Sequence, residues 1–440
     1  MTIRYSRRKA LKLAGAAAGG AVLSRHLASP HLSFAQGRTT ELVHWSWYSA
    51  SDNTDWSKLI DNFNEAHKGK GVQIRHEFVP DDTYGTKLLA AAATGNAPDF
   101  GTAQNGRTAQ WAKQGVTVAM EGPLKQAGLD LSDFDRRSLQ VCTYYGSLHM
   151  LPMDVSTMAV LLNVPYARAA GLDVSKPPQT AADLIEWAQK MTVRQGDTIT
   201  RSGWMMTGSG ALPLVIWNVV AYQMGFRRAS PDLKKAGLNP TAGVLAAQWV
   251  LDMFDKYKVS TRSIADSDRY RAFGAGAAAM FFTGPWAIRG YADAKLNFIS
   301  FPIPKIGDNR SSYYEVDGVE MYVQKDKGRY AATAEALKWL SDNSLPWVTT
   351  GRVDTPRKSI RASAAFKDGG WPAAYKSGFL EGMAEAQITD IPIAAAPDFE
   401  IYGSSILPAK TMDLVWSKQM SPSAAISSLT QKWQADLNAG

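Results

Sequence analysis

Trp286 closes the segment Phe273–Trp286, FGAGAAAMFFTGPW, directly after Gly284 and Pro285. Glycine fits a sharp backbone turn and proline the first position of a helix, so the indole is carried at the mouth of a strand-to-helix turn. In α/β proteins ligands gather at the carboxyl ends of strands. The flat apolar face of a tryptophan there can stack on a sugar ring or another planar, weakly polar solute. The competing reading is a tryptophan packed in a core. A second aromatic group, Trp45, Trp47 and Tyr48, ends a predicted first strand, and Asp52 and Asn53 follow in the same stretch. Short polar side chains at such a point either reach a ligand or cap a helix.

Other chemistries find little support. Gly274-Ala275-Gly276-Ala277-Ala278-Ala279 matches a dinucleotide fingerprint by letters, but that motif needs a strand before it and a helix after it. Here the predicted order is reversed, with Arg269–Phe273 helical and Ala278–Phe282 extended. His44, His67, His76 and His149 are not paired at a metal-ligand spacing, and Cys142 is the single cysteine. Cys142 is expected to be a small buried hydrophobe. Gly208-Ser209-Gly210 is not a nucleophile elbow. No metal and no cofactor are expected. Carboxylates are numerous, so composition leaves a two-carboxylate glycosidase open.

The elements that must position these residues alternate in type. Glu41–Trp47 alternates as a strand, and Asp52 to Asp55 offer caps for a helix over Trp56–His67. Val72–Val79 alternates again, a helix runs from about Thr83 to a stop at Gly95, and Asp99 opens a third strand. Further helices are predicted over Thr180–Met191, Ala242–Asp255 and Tyr330–Ser341, with a strand over Asn297–Phe301. Strands alternating with helices imply right-handed crossovers and mainly parallel sheets. The stretch Pro302–Ser312, rich in Pro, Gly and charge, reads as a linker between lobes.

At 440 residues the chain is long enough for two domains. Its net charge of +8 is concentrated at the start, where residues 1–35 carry six basic side chains and no carboxylate. The remainder holds 42 basic against 40 acidic residues, and the runs Arg227-Arg228 and Lys234-Lys235 read as solvated surface, so no nucleic-acid partner is expected. Residues 1–35 combine a charged start with a small, mildly apolar run and Ser33-Phe34-Ala35, an export signal cut after Ala35. Ser6-Arg7-Arg8-Lys9-Ala10-Leu11-Lys12 is similar to the twin-arginine signal, with Ala10 where Phe is usual. A free periplasmic protein is the expected destination.

Taken in order, Leu42–Trp47, Phe63–His67, Lys87–Asp99, Leu151–Asp154, Leu161–Asn163, Ala170–Leu184, Ala277–Trp286 and Thr355–Lys358 resemble the extracellular solute-binding proteins of ABC importers. The resemblance is to the large sugar-binding family that includes the maltose-binding proteins, and it covers most of the chain beyond residue 35. It implies an α/β, two-lobed periplasmic-binding-protein fold joined by a hinge, with the solute between the lobes. One lobe would hold 38–153 and 314–344, the other 154–313 and 345–440, with crossings near Val155, Asn309 and Leu345.

Function is then closure on a ligand that touches both lobes. The resemblance implies a periplasmic monomer that binds a sugar or oligosaccharide and delivers it to inner-membrane ABC permease subunits with a cytoplasmic ATPase. A binder of glycerol 3-phosphate or another polyol conjugate, and an exported carbohydrate-active hydrolase, are the alternatives. Trp286 matches the family's stacking position, and one of Trp45, Trp47 and Tyr48 is expected to reach the cleft. Asp52, Asn105 beyond the third strand and Asp154 at the first crossing are polar candidates. Trp204 and Trp217 are aromatic candidates from the second lobe. Glu315 and Asp317 lie where the chain returns to the first lobe, and Arg357 matches a family position that can hydrogen-bond solute.

Overall fold

Strand Thr40–Ser46 pairs in parallel with Val72–Phe78 on one side and Phe100–Gln104 on the other, the βαβ pattern read from the sequence. The computed structural model describes residues 39–48, 50–388, 396–400 and 406–439. The export segment and its cut after Ala35 lie outside the described residues. The helix between the first two strands spans Ala50–Ala66, so Asp52 and Asp55 sit in its first turns rather than capping it. Carboxylates are still favoured there by the helix dipole. The next helix, Asp81–Thr94, stops at Gly95, whose φ of 69° is the left-handed conformation that glycine adopts freely.

The first sheet is completed by Glu315–Met321 and Leu151–Ser156, in the order Val72–Phe78, Thr40–Ser46, Phe100–Gln104, Glu315–Met321, Leu151–Ser156. Glu315–Met321 runs antiparallel to both neighbours because it re-enters this sheet from the other lobe. The second sheet has the order Phe298–Pro302, Ala159–Asn163, Ala278–Thr283, Thr198–Trp204, Val193–Gln195. In it only Ala278–Thr283 and Thr198–Trp204 pair in parallel. Val193–Gln195 and Thr198–Trp204 are joined by two residues, a connection that permits only an antiparallel pair. The two-lobed α/β arrangement thus stands with sheets of mixed direction.

Buried side chains hold the crossings. The Gln223 amide donates to Pro304 O at 3.3 Å and Ser311 O at 3.0 Å and accepts from Ile306 N at 2.7 Å, fixing the irregular stretch after Pro302. At the last crossing Trp347 lies 5.1 Å from Trp56 and 5.0 Å from Tyr48, ring centre to ring centre, in the first lobe. Arg357 pairs with Asp133 at 2.6 Å and Asp342 at 2.9 Å. Trp347 and Arg357 therefore pack against side chains from the part of the chain that carries the first sheet. The chain then joins the second lobe, where Gly378 N donates to Ser300 Oγ at 2.9 Å.

Candidate functional site

Between the lobes lies a cavity of about 450 Å³, within the usual range for small-molecule sites. Its first-lobe wall is built from strand ends. Trp47 and Tyr48 follow the first strand, Asp52 stands in the helix after them, and Gln104 ends the third strand. Glu315 and Asp317 come in on the reversed strand, whose register sets Asp317 opposite Gln104 on one side and Asp154 on the other. The Gln104 amide donates to Glu315, and Arg107, one turn further on, pairs with Asp81.

Arg352 forms the floor. It is 2% exposed, and its guanidinium lies 3.1 Å from Asp52 Oδ2, 3.5 Å from Asp154 Oδ1 and 3.4 Å from Asp317 Oδ2. The guanidinium also sits 4.4 Å over the Trp347 ring, and the Trp347 indole donates to Asp154 Oδ2 at 2.9 Å. Three carboxylates around one cation cannot all be neutralised. Burial accordingly pushes Asp154 up to about 8, with Asp317's charge adding and Arg352 opposing. Burial raises Asp317 and Asp52 as well, again against Arg352. Tyr48, 3% exposed, is pushed up by burial and by the neighbouring Asp317 and Asp154; its hydroxyl has no hydrogen-bond partner among the described residues. Among these residues no group of three or more His, Cys, Asp or Glu is placed to hold a metal ion.

The second-lobe wall is aromatic. Strand Ala278–Thr283, buried throughout, delivers Gly284, Pro285 and Trp286 into a short 3-10 turn. A β-carbon on Gly284 would collide with the Trp286 ring, so glycine is required for the indole to fold back over it. The indole donates to Tyr270 Oη at 2.8 Å, and Tyr291 Oη donates to Tyr270 O at 3.0 Å, which fixes all three rings. Two ion pairs span the cleft rim. Arg289 meets Asp55 at 2.8 Å, and Arg107 Nε lies 3.5 Å from Glu400. These pairs tie the two walls of the cavity to each other.

Of the expected residues, Trp47, Tyr48, Asp52, Glu315, Asp317 and Trp286 line the cavity. Trp45 does not; it packs within the first lobe and donates to Glu77 Oε2 at 2.8 Å. Asn105 is not among the described lining residues, and its Oδ1 accepts from Val316 N at 3.1 Å. Asp154 is fully buried and reaches the cavity only through Arg352. Trp204 and Trp217 belong to the second-lobe core, with Trp217 donating to Gly243 O at 2.9 Å. Arg357 is consumed by Asp133 and Asp342 and does not line the cavity. Sequence reasoning missed Arg352, Arg107, Asp81, Gln104, Tyr270 and Tyr291. Tyr270 and Tyr291 flank the Trp286 segment and could have been found from it. Arg352 has no local signal.

Comparison with known proteins places this geometry. A family of bacterial extracellular solute-binding proteins matches residues 58–373. The maltodextrin-binding protein of Bacillus subtilis (strain 168) is 25% identical over 258 residues, which is 56% of each chain. The chain thus spans little more than half the length of that curated relative. A solute-binding protein of Thermotoga lettingae, solved with α-D-tagatose, superposes with a TM-score of 0.77 at 19% identity, covering 91% of this chain and 100% of the other. The maltose/maltodextrin-binding domain of Bdellovibrio bacteriovorus, solved with maltotriose, gives 0.77 at 18% identity with the same coverage. These structures share its two-lobed fold. With the matched family spanning most of its length, the chain belongs to the bacterial extracellular solute-binding proteins.

Proposed function

We propose that this chain is the periplasmic substrate-binding component of an ABC importer, taking a sugar or oligosaccharide between its lobes. It passes the ligand, unchanged and as a monomer, to inner-membrane permease subunits driven by a cytoplasmic ATPase. Residues 1–35 act as its export signal. The observation that carries this reading is the cleft itself, with tethered Trp286 on one wall facing Trp47 and hydrogen-bonding carboxylates and an amide on the other. Aromatic faces cover the apolar side of a pyranose while carboxylates take its hydroxyls. The maltodextrin ligand of the Bacillus subtilis relative and the maltotriose of the Bdellovibrio bacteriovorus structure agree with it.

Glycerol 3-phosphate fits less well. Arg107 and Arg352 line the cavity, but each is already bound to carboxylates. A hydrolase would need two carboxylates flanking the scissile bond. The acids that line the cavity stand on the first-lobe side, and the second-lobe wall offers Tyr270, Trp286, Ala287, Gly290 and Tyr291.

Thermal-shift and calorimetric titration of the mature protein against a carbohydrate panel tests this. One sugar should raise the melting temperature and be recovered intact. Trp286→Ala should weaken its binding by about tenfold or more. Turnover, or no shift with any carbohydrate, rejects the proposal.

A further inference from the structure

The charged side chains lining the cavity do not balance. Four are carboxylates, Asp52, Asp81, Glu315 and Asp317, and two are guanidiniums, Arg107 and Arg352. Both guanidiniums are shared further with acids outside the lining, Arg107 with Glu400 and Arg352 with buried Asp154. Among the described residues the second-lobe lining, Tyr270, Trp286, Ala287, Gly290 and Tyr291, carries no cation. Arg289 is taken by Asp55, and Arg269 pairs with Asp266 at 2.8 Å. Among the described residues, acids thus outnumber cations around a cavity shielded from water, where a charge without a counter-charge is most costly.

A second observation points the same way. The Tyr48 hydroxyl, buried at the cavity wall amid Asp52, Asp154 and Asp317, has no hydrogen-bond partner among the described residues. It can accept one hydrogen bond there from a donor-rich group. The remaining wall is aromatic: the Arg107 guanidinium already lies 5.6 Å from the centre of the Trp47 ring, and Trp286 stands on the opposite side.

We propose that the cleft is built for a saccharide carrying a protonated amine, its ammonium set against Asp317 and Glu315 and its ring on Trp286. This rests on the sugar-binding reading above and narrows its ligand class. An ammonium offers three donors and one positive charge, which neutralises the surplus and satisfies Tyr48 at once. A neutral sugar supplies the donors without the charge.

The test compares matched pairs by calorimetry at pH 6.5. The pairs are glucose with glucosamine, galactose with galactosamine, mannose with mannosamine, and cellobiose with fully deacetylated chitobiose. In at least one pair the amine should bind about tenfold tighter than its hydroxyl partner. That advantage should shrink as salt rises from 50 to 500 mM, in the direction screening dictates. Asp317→Asn and, independently, Glu315→Gln should each erase most of it; Glu315 is only partly buried, so its variant reads the effect even if Asp317→Asn fails to fold. Amines that bind no tighter than their partners in every pair, including no binding at all, overturn the inference. If neutral sugars from the wider panel still bind, the sugar-binding reading survives that result; if no carbohydrate binds, both fall.

Discussion

Asp55 and Arg289 join the two lobes through a two-point ion pair, Nε to Oδ2 at 2.8 Å and the second nitrogen to Oδ1 at 2.9 Å. Each lies three residues beyond a cavity-lining side chain, Asp55 after Asp52 and Arg289 after Trp286. Trp286 and Arg289 are thus carried on one short segment, so a hinge motion that moved one would move the other. Ligand and ion pair favour the same closed state, and each assists the other.

Removing the pair should open the empty protein. Arg289→Gln is expected to raise the radius of gyration of the ligand-free form in small-angle scattering. It should weaken ligand binding about fivefold, for a partly exposed pair worth about 1 kcal/mol. Asp55→Asn should do the same, and the double variant should be no worse than either single change. Additive losses would mean the two side chains act separately.

Arg352 should matter more for stability than any aromatic in the cleft. Arg352→Gln strips the cation that Asp52, Asp154 and Asp317 share, and removing one partner of a buried charge cluster costs about 3–5 kcal/mol. Urea denaturation at pH 7 should show that loss. At pH 4 the deficit should narrow, because protonated carboxyls no longer repel one another. An equal deficit at both values would contradict the electrostatic account.

Glu320 predicts a pH dependence away from the cleft. It is fully buried in the first sheet, its carboxyl oxygens have no hydrogen-bond partner among the described residues, and burial pushes it up to about 8. Its folded value exceeds its unfolded one, so the folded state binds more protons between them. The stabilisation it gives is complete below about 4.5 and is lost as pH rises through about 8. Glu320→Gln should melt close to the parent at pH 4. It should melt above it at pH 8.5, by an amount on the order of a few kcal/mol. Parallel melting curves from pH 4 to 9 would refute this.

The local features of the fold were legible where a short-range cause exists. Thr180 and Asp183 form the reciprocal cap that starts the helix Ala181–Met191, and Gly95 ends its helix in the conformation glycine permits. The Trp286 turn was legible for the same reason, since glycine, proline and the preceding apolar strand all act within a few residues. Strand direction was not. Glu315–Met321 enters the first sheet reversed because of where the chain has been, not because of its own residues.

By itself the sequence determined the alternating elements, the crossing after Pro302 and a tryptophan presented at a strand end. Each follows from backbone preference and apolar periodicity, which act between neighbours. Only the tertiary structure decided which polar and aromatic residues meet. Trp217 and Trp286 are both candidate platforms in the sequence, with Trp286 the stronger, yet one lies in a buried helix and the other at a turn that lines the cavity. Arg352 and Arg357 stand five residues apart in one segment. One goes beneath the cleft to three carboxylates and the other to Asp133, because charges seek partners brought close by folding from distant parts of the chain.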